Sequence, residues 1–187
     1  MAQVRFLTVR DLFDSFPSAS ADVGAADDGM RSLDFIRALV RDREWQRAIS
    51  FCAYLLPRRV AVAWACRSIR RMVGELRPDE ERMLGFAEDW VEGPEEPRRR
   101  KALASGTLGD TRSPATWAAL AAGWSGGNLV PDEMGSAPAD PEQTAKAVRV
   151  ALFIALSCLE GEAKHRVMTT CLQDGIQFAG GGSVSPR

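Results

Sequence analysis

The sequence predicts an all-α fold, a single compact multi-helix domain built of antiparallel helical hairpins. Three observations carry that expectation. Apolar residues recur at spacings of three and four in one segment after another. Proline and glycine punctuate the chain between most of those segments. No stretch alternates β-branched with polar residues as a half-buried strand would. A chain of 187 residues suits one domain with tails and can bury a core without staples. The expected division is a short N-terminal helix and flexible linker over 1–31, a helical domain over 32–179 and a disordered tail over 180–187.

Thr8 is placed to cap a short helix over Val9 to Ser15, with Asp11 near its positive end, and Phe16-Pro17 stops it. Ser18 to Gly29 is small, acidic and glycine-containing, and reads as a linker. Ser32 then caps Leu33 to Val40. Asp42 is expected to cap the next helix, whose Trp45, Ala48, Ile49, Cys52, Ala53 and Leu56 share one face. Pro57 would cost about 3 kcal/mol inside a helix, so it marks a break. The pattern restarts at Arg58 and runs to Val73, with Gly74 as a stop.

Pro78 followed by Asp79-Glu80-Glu81 has the composition of a first helical turn. Met83, Leu84, Ala87, Trp90 and Val91 form that helix's apolar face, and Gly93-Pro94 ends it. Glu95 to Ala104 is a further helix with an arginine-rich start, and Gly106 to Arg112 a loop. Ser113-Pro114 opens a helix to Trp124 that is largely alanine away from Trp117, Leu120 and Trp124. Ser125 to Pro138 is the longest irregular stretch. Asp140-Pro141 opens the next helix, with Gln143 where a capping box wants it. From Ala145 to Leu159 it is apolar nearly all round, which predicts a central position. Gly161 ends it, and Glu162 to Phe178 closes the domain with Val167, Met168, Cys171 and Leu172 inward.

Composition narrows the function classes. The 24 basic and 25 acidic residues nearly cancel, which counts against a nucleic-acid binder. The 45% hydrophobic and 26% charged residues fit a soluble globular protein. The most apolar run, Val150 to Leu159, is too short to span a bilayer. The opening MAQVRFLTVRDLF lacks a basic segment followed by an apolar one, so no secretory signal is expected. Cys52, Cys66, Cys158 and Cys171 have no CxxC spacing, and each sits in an apolar helical pattern. That predicts reduced, mostly buried thiols in the cytoplasm. With a single histidine, a Cys/His zinc site has little to draw on. No cofactor and no metal site is expected.

The strongest candidate surface is cationic. Arg59, Arg67 and Arg70 lie within roughly a quarter turn of one another on an ideal helix, with Arg71 beside them and Arg58 at the helix start. Arginine there suits an acidic partner, a phosphate or a carboxylate cluster. The competing reading is a solvated face paired with Glu75, Asp79 or Glu80. Arg98-Arg99-Arg100-Lys101 is a second basic run, flanked by Glu92, Glu95 and Glu96, and reads as a solvated helix start. His165, with Glu162 and Lys164, reads as a surface histidine rather than an acid–base pair. Cys66 has no paired histidine and reads as structural. Gly123, Gly126 and Gly127 follow a helix, where a phosphate loop would follow a strand. Asp132, Glu133, Asp140 and Glu142 do not match the spacing of a calcium loop. The five tryptophans read as core anchors, with Trp124 the choice for a partner groove because it leads into the glycine-rich loop.

Three stretches carry a resemblance: CAYLLPRRVAVAWACRSIR, WSGGNLVPDEMGSAPADPEQTAKAVRVALFIA and LQDGIQFAGGG. Together they resemble an uncharacterised family of small bacterial proteins with a Leu-Pro-Arg-Arg-x-Ala-Val-x-Trp-Ala-Cys core. Members are associated with gene neighbourhoods of the type VI secretion system. The resemblance covers most of Ala48 to Gly182 and implies a role in that pathway, without a catalytic motif to transfer. The expected function is a non-enzymatic helical adaptor or chaperone-like protein that binds another protein, a secretion effector or spike component. Arg58, Arg59, Arg67, Arg70, Arg71 and Trp124 are the expected contact residues. The alternatives are an enzyme or toxin-related factor with an arginine-lined site, and a nucleic-acid-binding helical module.

Overall fold

Thr8 and Asp11 close a reciprocal capping box. The Asp11 N–H donates to Thr8 Oγ1 at 3.2 Å, and the Thr8 N–H donates to Asp11 Oδ2 at 2.9 Å. This starts α1 (Val9–Ser15) where the sequence places it. The computed structural model describes residues 4–130 and 132–182, without the side chain of Asp132. Positions 183–187 of the expected tail lie outside the described residues. After α1 come α2 (Ala19–Val23), α3 (Ser32–Arg41), α4 (Trp45–Leu55), α5 (Arg58–Met72) and α6 (Pro78–Glu92). Then follow α7 (Glu96–Thr107), α8 (Pro114–Gly123), α9 (Gln143–Ser157) and α10 (Gly161–Ala179). Among the described residues there is no strand, only isolated bridges Thr8–Arg31 and Asn128–Pro138. The chain is one all-α domain.

The segment expected to be a linker is part of that domain. Ser18 to Gly29 contains α2, and Val9, Leu12, Phe16, Ala19 and Val23 are buried in the common core. Asp22, one of the acids that suggested a solvated linker, accepts bonds from distant helices. The Tyr54 hydroxyl donates to Asp22, and Arg149 pairs with the same carboxylate. The Ser18 N–H and hydroxyl both donate to Glu142.

Two junctions position the rest. α3 ends in a Schellman motif: the Glu44 N–H donates to Leu39 O at 2.9 Å and the Arg43 N–H to Val40 O at 3.2 Å. Asp42, expected to cap the next helix, is therefore the C-cap of α3 instead. Arg43 takes the left-handed position, φ 60°, that usually goes to glycine. At the second junction Leu56 is extended and Pro57 precedes α5, so the helix breaks at the proline as the sequence predicts. From there α4 and α5 diverge. α4 lies on α2, α3 and α9, whereas α5 lies on α6 and α8, and α9 and α10 touch both.

α8 and α9 share the centre. α9 rests on α4, α5 and α8, and α8 on α5, α6, α7 and α9. Alanine lets α7 and α8 approach closely, and two glycines complete the contact. A Cβ on Gly106 would lie 2.9 Å from the backbone nitrogen of Leu120, and one on Gly123 would lie 2.7 Å from Leu103 Cα. Gly106 therefore continues α7 to Thr107 instead of opening the expected loop. Likewise Gly161 does not end α9, which stops at Ser157; it is the first residue of α10, at φ 58°. α10 covers α3, α4 and α5. Among the described residues no helix is long and apolar enough to cross a membrane.

Candidate functional site

The five arginines expected to form one cationic face are each bonded within the chain. At the start of α5, Arg58 Nη1 donates to Ser125 O at 2.8 Å, holding the loop after α8. Arg59 Nε donates to Val91 O at 2.6 Å and Nη2 to Glu92 O at 3.2 Å, satisfying carbonyls at the C-terminal end of α6. One turn from the other end, Arg70 grips Glu88 in a two-pronged contact of 2.6 and 2.8 Å and reaches Glu81 at 2.8 Å. Those bonds, to Glu88 first and Glu81 second, push the Arg70 pKa above its ordinary value. Arg71 pairs with Asp174 on α10, and Arg67 lies 3.9 Å from the same carboxylate and over the Phe178 ring.

So Arg59 and Arg70 serve α6, Arg67 and Arg71 serve α10, and Arg58 serves the α8–α9 loop. The partners are Glu81, Glu88 and Asp174, not the Glu75, Asp79 or Glu80 that sequence proximity suggested. Helical spacing places side chains on a face, but it does not say which helices will cover that face. Glu88 is only 5% exposed, so reversing Arg70 would crowd carboxylates in the interior.

The second basic run is also built in. Arg99 is buried, its guanidinium bonded to Glu96, Gly123 O and Asn128 O. Arg100 donates to Glu96 and to Val130 O. These two arginines, Arg99 first, hold the Glu96 carboxyl down to about 2. Arg98 and Lys101 stay exposed beside α6, as a solvated helix start would have them, whereas Arg99 and Arg100 hold the loop at Asn128 and Val130.

Trp124 is half-buried and meets Trp117 edge-on, with ring centroids 6.3 Å apart. Cys52, Cys66 and Cys171 are buried and free, and burial raises each thiol pKa, while Cys158 is exposed. Among the described residues no cluster of His, Cys, Asp and Glu could hold a metal ion.

An apolar hollow lies elsewhere, between the α3–α4 junction and α10. A groove of about 580 Å³ is lined by Val40, Arg41, Arg43, Trp45, His165, Arg166, Thr169 and Thr170. A second hollow of about 350 Å³ shares Arg43 and Trp45 with it and is also lined by Arg47, Leu156 and Lys164. His165, expected at the surface, is half-buried on the wall of the larger groove. Its ring is 5.9 Å from that of Trp45, and its Nδ1 is buried without a partner. Thr169 Oγ1 donates to His165 O at 2.8 Å and Thr170 Oγ1 to Arg166 O at 3.1 Å. Their protons are committed to the helix backbone, so the wall is less polar than its residue names suggest.

Sequence reasoning counted Trp45 among the core anchors and passed over Arg43 and Arg166. The available signal was local: Trp45 sits in the first turn of its helix between Glu44 and Gln46, a poor place for full burial. What brings α10 beside it is tertiary.

The model of a family described as a family of unknown function, DUF6931, matches residues 35–179. No curated protein and no solved structure matches the chain.

Proposed function

The chain belongs to that family of unknown function, and we propose that it is a non-enzymatic helical adaptor that binds another protein. The observation that carries this reading is the groove around Trp45, which joins an aromatic anchor to an arginine rim on a rigid helical frame. Tryptophan and arginine are the residue types that concentrate binding energy at protein interfaces. The arginines of α5, by contrast, support the frame that presents this groove. Their ion pairs also weigh against an arginine-lined catalytic site, which would need those groups free to meet a substrate.

Within this reading the partner is a type VI secretion effector or spike component, the class implied by the resemblance of the Leu56–Cys66 block, and binding takes place in the cytoplasm. The test is site-specific photo-crosslinking in the native host. A crosslinker at Thr170, on the groove, is compared with one at Arg82, an exposed position on α6. A protein captured from Thr170 but not from Arg82, and lost when Trp45 is replaced by Ala, supports the adaptor. Equal capture from both positions, or turnover of a small molecule by the isolated protein, overturns it.

A further inference from the structure

We infer that the groove around Trp45 takes an acidic peptide segment carrying an aromatic or aliphatic anchor. This rests on the adaptor reading and specifies the chemistry of its partner.

The argument starts from charge. Of the cations on the two hollows, Arg41 pairs with Asp42 and Arg47 with Glu44, so those cancel. Arg43, Lys164 and Arg166 form no ion pair among the described residues. The rim therefore carries an uncompensated positive charge on a chain whose formal net charge is −1. The two charged arginines near the end of α5 are by contrast neutralised, Arg70 by Glu88 and Glu81 and Arg71 by Asp174. A cationic rim left open beside an apolar floor is complementary to an acidic, apolar-bearing ligand.

Backbone conformation points to the same place independently. The Schellman position at the end of α3 favours glycine, yet it holds an arginine at φ 60°. Among the described residues it is the single non-glycine with positive φ. A strained residue that lines a hollow is a pointer to function. The left-handed turn aims the chain so that Arg43 borders both hollows.

The shape fits a segment rather than a point ligand. Both hollows are lined by Arg43 and Trp45, and the Trp45 ring is braced by His165 and needs little ordering on binding. Val40 and the two threonines, their hydroxyl protons turned to backbone carbonyls, give the anchor an apolar bed. Nucleic acid would demand a longer cationic track to follow its phosphates.

The test uses a phage library of random 16-residue peptides selected against the full-length protein. A parallel selection uses Arg43→Glu/Arg166→Glu, both exposed positions, with a melting curve as the folding control. Peptides enriched at least tenfold on the wild type over the variant should carry net negative charge and a Trp, Phe or Leu. Their binding should weaken as salt rises. Enrichment of neutral or basic peptides that still depends on the groove overturns the acidic chemistry and leaves the adaptor reading standing. No groove-dependent enrichment, together with no crosslink from Thr170, removes both. Displacement of the selected peptide by a 20-nucleotide single-stranded DNA of tighter affinity overturns the proposal in favour of nucleic acid.

Discussion

Replacing Arg43 by Gly should stabilise the fold while emptying the groove of its ligand. An L-residue in the left-handed region costs about 1–2 kcal/mol. Glycine removes that strain but gives back about 0.4–1 kcal/mol through the freedom it adds to the unfolded chain. Arg43 is exposed and in no ion pair among the described residues, so losing its side chain removes little else. The two Schellman hydrogen bonds, at 2.9 and 3.2 Å, are backbone bonds that glycine keeps. The balance is a gain of about 0.5–1 kcal/mol, or a Tm higher by about 1–4 °C for a chain of this size. Arg43→Ala is the matched control, since it loses the same charge but retains the Cβ and therefore the strain. Its Tm should stay within about 1 °C of the wild type, within the ±0.5 kcal/mol usual for surface changes. Differential scanning calorimetry reads the stability, and anisotropy of a labelled peptide from the selection reads the binding. Both variants should lose affinity. A Gly variant that melts below the Ala variant would refute the strain argument. A Gly variant that melts higher and binds as well as wild type would remove Arg43 from the site.

Four further outcomes are expected. Arg70→Ala should cost about 3 kcal/mol by stranding Glu88 in the interior, and Arg70→Met with Glu88→Met should recover most of it in a double-mutant cycle by urea denaturation. Gly175→Ala should destabilise by about 1–3 kcal/mol, because a Cβ there would sit 2.5 Å from Cys52 Sγ and 3.2 Å from the Trp64 ring. Glu96 is depressed to about 2 by Arg99 and Arg100, so its stabilising share is complete above the ordinary carboxylate range and is lost as pH falls through about 2. Glu96→Gln should therefore flatten the acid limb of the stability–pH curve between about pH 4.5 and 2. In native conditions a thiol reagent should label Cys158 rapidly and Cys52, Cys66 and Cys171 slowly, and mass spectrometry of the labelled peptides checks this.

The helices that carry their own punctuation were legible from the chain. Thr8 with Asp11, Pro57 before Arg58, Pro78 before three acids and Ser113-Pro114 all mark the start or break that they suggest. Each of those signals is local, fixed by dihedral limits and capping bonds within one turn. Glycine was less reliable. Gly106 lies within α7 because close packing outweighs propensity, and Gly161 opens α10 in the left-handed conformation that glycine allows. α2 escaped notice because its one acid, Asp22, finds partners more than thirty residues away. The site was harder still. An arginine's spacing on α5 is a property of that helix, whereas Glu88 and Asp174 reach it from helices that the sequence does not place. The groove needs the α3–α4 turn and α10 side by side, and no single segment encodes that.

The bond between Ser18 and Glu142 spans 124 positions, which sets a timetable for assembly. At about 5–20 residues per second the first partner waits roughly 6–25 s for the second to be synthesised. Arg149, which pairs with Asp22, arrives later again. During that interval Val9, Leu12 and Phe16 are already made, while Glu142 and Arg149, which anchor the neighbouring Ser18 and Asp22, are not. The opening helices are thus the first part of the chain to be born and among the last to find their final seats. A nascent chain halted before α9 leaves that apolar strap with its bonds from Tyr54 and Arg47 but without those to Glu142 and Arg149, half-fastened in the state where a chaperone or a protease meets it first.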